Sequence, residues 1–110
     1  MKKTGLGEFQ ELILMAVMVL EQEAYGNEIQ RELEGRLNEK LSIGAIQTAL
    51  KRMEEKGFLK SKWGEATQKR GGKRKRIYMA TPYAQQALQQ MKDIRSGLWE
   101  AIPQFKINHT

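Results

Sequence analysis

The sequence predicts a mostly helical α+β domain of winged helix-turn-helix architecture: three helices, a two-stranded basic wing, and a C-terminal dimerisation helix. Three observations carry that prediction. Apolar residues recur at helical spacing in three successive segments before Gly57. Directly after it the period drops to two, and Thr81-Pro82 then opens a further helix. Between those points lies the charge. Lys60 to Arg76 holds eight basic residues against Glu65 alone, a net +7, while the rest of the chain carries 11 basic and 12 acidic residues.

The 110 residues suit one domain with one modest core. There is no cysteine, and the single histidine, His109, stands near the end of the sequence, so a thiolate or histidine-rich metal site is not expected. No Gly-rich phosphate loop, paired-carboxylate signature or nucleophilic cysteine is present, which argues against an enzyme and against a cofactor. The longest apolar run, Leu12 to Leu20, has nine residues, where a membrane span needs about 20. Glutamates flank it, unlike a secretory signal, so the expected setting is the cytoplasm.

Residues 1–7 read as a loose arm. From Glu8 the stripe Phe9, Leu12, Ile13, Ala16, Val17, Leu20 marks a first helix, with Glu8 and Glu11 at the positive end of its dipole. Met15, Met18 and Val19 widen the stripe, so this helix is expected to be covered on most sides, a second subunit being one way to do so. A second helix runs from Tyr25-Gly26-Asn27 to about Asn38, with Ile29, Leu33 and Leu37 on one face.

Ser42 is a good N-cap for a third helix, and Gly57 stops it. Ile43, Ile46, Leu50 and Met53 form its buried stripe. Winding at about 100° per residue puts Gly44, Ala45, Thr48, Lys51, Arg52 and Glu55 opposite, with Gln47 at the edge. Such a face is small and polar at its N-terminal end and basic in the middle, as a helix entering a major groove requires.

Leu59, Ser61 and Trp63 alternate with Lys60, Lys62 and Gly64 as a strand, Gly71-Gly72 marks a turn, and Arg74 to Ala80 returns. Either Ile77 with Met79 or Tyr78 with Ala80 can supply the inward pair. The last helix runs from Pro82 to about Trp99. Ala84, Ala87, Met91, Ile94, Leu98 repeat at heptad spacing and, with Trp99, are expected to form a seam with a second copy. The expected organisation is therefore an arm over 1–7, a DNA-binding domain over 8–81, a dimerisation helix over 82–100 and a tail over 101–110.

The basic hairpin suits a polyanion. A membrane hairpin would carry apolar residues at its tip, and this one carries Gln, Lys, Arg and Gly, so double-stranded DNA is the favoured partner. A protein-interaction module that meets an acidic partner is the second reading.

Several stretches in order resemble the PadR family of transcriptional regulators: Gly5 to Leu12, Ala24-Tyr25-Gly26, Leu41 to Ile46, Leu50 to Gly57, and Gly71 to Tyr78 leading into Ala80-Thr81. The resemblance covers about residues 5 to 92. It implies a dimeric bacterial winged-helix regulator, usually a repressor, in a family whose branches include some that respond to small aromatic compounds. Two positions depart from the family's usual pattern. Gln47 stands where tyrosine is usual, and Ala80 where leucine is common.

On this reading Gly44, Gln47 and Thr48 contact base edges, and Lys51 and Arg52 lie nearer the phosphates. Ser42 caps the helix, Tyr25 touches the DNA backbone, and Lys73, Arg74 and Lys75 grip phosphates. Met15, Met18 and Trp99 are either plain dimer core or the lining of an effector pocket between subunits.

Overall fold

A computed structural model describes residues 6–64 and 74–103. Among the described residues, four helices and one antiparallel hairpin follow in the order α1 (Glu8–Leu20), α2 (Gly26–Leu37), α3 (Ile43–Glu55), β1 (Leu59–Trp63), β2 (Arg76–Ala80) and α4 (Pro82–Ala101), with a 3₁₀ turn at Glu21–Glu23 between the first two helices. This is the mostly helical winged arrangement that the periodicities predict.

One core joins the helices to the hairpin. Ile13, Leu14 and Val17 of α1 meet Ile29 and Leu33 of α2, Ile46, Leu50 and Met53 of α3, and Phe58 and Leu59 at the entry to β1. The turn between α2 and α3 is fixed by short-range chemistry. Asn38 ends α2 in the left-handed region at φ 56°, a conformation asparagine tolerates. Leu41 is then held from both sides: its N–H donates to Glu34 Oε2 at 2.7 Å, and its carbonyl accepts from Gln30 Nε2 at 2.9 Å. Ser42 Oγ accepts from the Ala45 N–H at 3.2 Å and starts α3 as expected.

Strand register settles the inward pair. Leu59 faces Ala80 and Ser61 faces Tyr78, on the side that packs against the core. Ile77 is also buried, with its side chain on the opposite face, and along the outer edge of β2 its backbone forms a single antiparallel bridge with Tyr25. The regular ladder of β2 begins at Arg76, two residues later than the alternation at Arg74 suggests.

Thr81 ties α4 to the rest. Its hydroxyl donates to the Gly57 carbonyl at 2.7 Å and accepts from the Ala84 N–H at 3.2 Å, and Phe58 stacks on Tyr83 with ring centroids 5.0 Å apart. Here the structure corrects the seam. Ala84 and Ala87 are buried within the chain's own core, because the first turns of α4 complete the domain. Only the later positions are left to meet a partner: Met91 is half-buried, and Ile94, Leu98 and Trp99 are exposed, Leu98 and Trp99 each by more than 60%.

Candidate nucleic-acid interface

The exposed ridge of α3 carries Gly44, Gln47, Thr48, Lys51 and Arg52, all solvent-facing, while Ile46, Ala49, Leu50 and Met53 are buried beneath it. A 3.6-residue period allows no other division, since the buried four lie on one side of the helix. The ridge stands between two clefts. On one side Gly44, Thr48 and Arg52 face the start of α1. On the other, Gln47 shares a cleft of about 510 Å³ with Asn27 and Gln30 of α2 and with Lys75, Arg76 and Tyr78 of the wing.

The wing is bound to α3 by a polar relay. Ser61 Oγ donates to Glu54 Oε2 at 2.7 Å, Arg76 Nη1 donates to Ser61 Oγ, and the same guanidinium lies 4.0 Å from the Glu54 carboxylate. Arg76 also sits over the Trp63 ring, 4.9 Å from its centroid. Burial pushes the Tyr78 hydroxyl above its ordinary pKa of 10.0. The Glu54 charge adds to the rise and Arg76 opposes it. The relay depends on strand register, which a single sequence does not supply; the residue types alone carry no sign of it.

Arg74 is exposed and reaches back to the Gly64 carbonyl at 3.2 Å, and the Lys75 carbonyl accepts from the Gly64 N–H at 2.6 Å. Lys73 lies outside the described residues. Tyr25 is half-buried at the N-terminus of α2, and its hydroxyl packs under Gly64 so closely that a Cβ there would stand 3.0 Å from it. The side chain therefore buttresses the root of the wing, and its hydroxyl end is the part nearest the cationic strand.

Met15, Met18 and Trp99 are not brought together within one chain. Met15 lines a cavity of about 240 Å³ with Leu88, Lys92 and Arg95 of α4, whereas Met18 lines a cavity of about 740 Å³ facing the hairpin. Neither is lined by Trp99.

A pair not singled out in the sequence joins α1 to α4. Glu11, nearly fully buried, accepts from Arg95 Nη1 at 2.6 Å and from Nη2 at 3.1 Å. The hydrogen bonds to Glu11, and then its charge, raise the Arg95 pKa further above the ordinary guanidinium value. Glutamate in the first turn of a helix is ordinarily a solvated dipole partner, so Glu11 carried no sign of its burial.

Among the described residues no group of histidine and carboxylate side chains could hold a metal ion, and no helix is long and apolar enough to cross a membrane.

Comparisons with known proteins agree with this geometry. Residues 13–90 match the model of the transcriptional regulator PadR-like family. A PadR family transcription regulator from hypervirulent Clostridium difficile R20291 is similar at 32% identity over 86% of this chain and 96% of that one, with a TM-score of 0.61. A padr family transcriptional regulator from Eggerthella lenta DSM 2243 covers 94% of this chain and 88% of its own at 21% identity, with a TM-score of 0.64. A PadR-like transcriptional regulator from Bacillus cereus strain ATCC 14579 covers 90% and 92% at 18% identity, with a TM-score of 0.67. The last two show likeness of fold. No curated protein matches the chain.

Proposed function

The chain belongs to the PadR-like family of transcriptional regulators, and from that premise we propose that it is a cytoplasmic, homodimeric repressor that reads a palindromic operator. The family regulates transcription and is not enzymatic. One observation carries the reading: Gln47 on the outward ridge of α3 and the cations Lys75 and Arg76 line the same cleft, so the element able to read bases and the element able to hold phosphates face one ligand.

In this reading α3 enters a major groove, with Gly44, Gln47 and Thr48 at base edges and Lys51 and Arg52 towards the backbone. Glutamine at position 47 can bond adenine N6 and N7 together, which favours adenine in the half-site. Lys73, Arg74 and Lys75 hold phosphates, Tyr25 supports the strand that carries them and touches the DNA backbone, and Ser42 fixes the helix start.

Met91, Ile94, Leu98 and Trp99 supply the dimer contact, because the second half of α4, though tied to α1 by Arg95, leaves Ile94, Leu98 and Trp99 exposed and Met91 half-buried. The exposed Met15 and Met18 of α1 extend that surface. A small aromatic effector fits only where Trp99 of a second copy closes over those methionines, since a single chain keeps the three apart.

The test is selection of bound duplexes from a random pool. Recovery of an inverted repeat, with half-sites about one helical turn or a multiple of it apart, supports the operator and the dimer together. Failure to bind any duplex at low salt overturns the reading in favour of a module that meets an acidic protein.

A further inference from the structure

Trp63 has no role in the reading above, yet it occupies the root of the wing on the side that faces α3. The ladder pairs it with Arg76, and the guanidinium over its ring fixes both side chains on one face of the hairpin. That is also the face of Ser61 and Tyr78, which pack towards α3 and the core. Leu59, at the other end of the same strand face, is buried, whereas Trp63 is 54% exposed. The last described rung of the hairpin therefore carries a large apolar ring open to solvent; it borders the cavity that Met18 lines, and its partner Arg76 lines the cleft with Gln47 and Lys75.

Exposing half an indole leaves substantial apolar area in water. Arg76 is held from the other side by Ser61 and Glu54, which sets its guanidinium against the ring. The result is a flat apolar surface with an N–H donor at its edge, packed on one side by Arg76.

We propose that Trp63 is a DNA contact, its ring lying against the deoxyribose of a nucleotide whose phosphate the neighbouring wing cations hold. The proposal rests on the DNA-binding reading and adds a neutral contact to it. Sugars present C–H edges along the groove walls, and an indole covers them without regard to base identity. Lys75 and Arg74 supply charge on the neighbouring residues. Trp63 supplies apolar contact, which salt does not screen.

The experiment uses the full chain and a mixed-sequence duplex. In Trp99→Phe, which keeps a ring at the dimer contact and is first shown to bind the duplex as the parent does, Trp63 is the sole tryptophan, and titration with the duplex is expected to change its emission and protect it from acrylamide. In the otherwise native chain, Trp63→Ala is expected to weaken binding about tenfold for every sequence, the low end of what an aromatic contact to a nucleotide contributes. Its salt dependence stays that of the parent, and Trp63→Phe restores most of the affinity. If the parent binds duplex while Trp63 emission and accessibility stay unchanged and Trp63→Ala binds normally, the Trp63 contact is overturned and the DNA reading stands. If the parent itself binds no duplex at low salt, both fall.

Discussion

Arg95 grips Glu11 with two hydrogen bonds across 84 positions of sequence, and so fixes the outer half of α4 to the first helix of the domain. The carboxylate is buried and the guanidinium largely exposed. Removing one partner is therefore not symmetric with removing both. A buried carboxylate left alone must recover hydration or distort its surroundings, whereas a well-packed apolar pair leaves nothing unsatisfied.

Arg95→Ala is expected to lower thermal stability more than Arg31→Ala or Arg36→Ala, whose pairs with Glu28 and Glu32 are short-range and mostly solvated; such pairs contribute about 0–1 kcal/mol. The double change Glu11→Leu with Arg95→Met is expected to recover much of the loss. Equal melting temperatures for all three arginine variants would show that the contact carries no weight.

The order of elements was legible because each boundary has a local cause: Ser42 and Thr81 cap, Gly57 takes φ 85°, and the period changes from 3.6 to two between Met53 and Leu59. The outward face of α3 was legible for the same reason, since four buried positions on a helix fix the other side. What could not be read were relations between distant residues. Heptad spacing in α4 looked like one continuous seam, but Ala84 and Ala87 pack within the domain while Leu98 does not, and the spacing is the same in both halves. The links from Glu54 through Ser61 to Arg76, and from Glu11 to Arg95, join residues whose types are ordinary on any solvated face.

Gly44 separates folding from recognition. A Cβ there would meet only Ser42 Oγ, at an ordinary 3.5 Å. Alanine in a helix interior is favoured over glycine by about 0.5–1 kcal/mol, and in the first turn, where Gly44 stands, by less, so Gly44→Ala should stabilise the chain by up to about 0.5 kcal/mol. If the first turn of α3 approaches base edges, the added methyl lies between helix and groove, and duplex affinity should fall. A more stable variant with unchanged affinity and sequence preference would remove Gly44 from the interface.

The wing and α3 should respond differently to salt. Replacing Arg74 and Lys75 together with alanine is expected to weaken all duplexes alike and flatten the dependence of log affinity on log salt by about 0.9 for each phosphate that the variant no longer neutralises. Gln47→Ala should leave that slope nearly intact and change the ranking of sequences, by about 1–3 kcal/mol at the base it reads. Affinity measured at several salt concentrations on two or three duplexes distinguishes the outcomes. A wing variant with the parental slope would show that these cations meet no phosphate.

Tyr78 links the wing to alkaline stability. Its hydroxyl titrates above 10.0 in the folded chain, first because burial disfavours the phenolate and then because Glu54 repels it. A raised folded pKa means that the native state holds the proton more tightly than the unfolded chain does. Its contribution is therefore complete below the unfolded value and declines as pH rises through the interval up to the folded one. Denaturation followed from about pH 9 to about pH 11, around the ordinary tyrosine value, should show the parent losing stability faster than Tyr78→Phe. Lysine deprotonation acts on both chains, so the difference between their curves isolates the hydroxyl. Parallel curves would mean that the phenol is as well solvated when folded as when unfolded, and that the cleft between α3 and the wing is open to water at its floor.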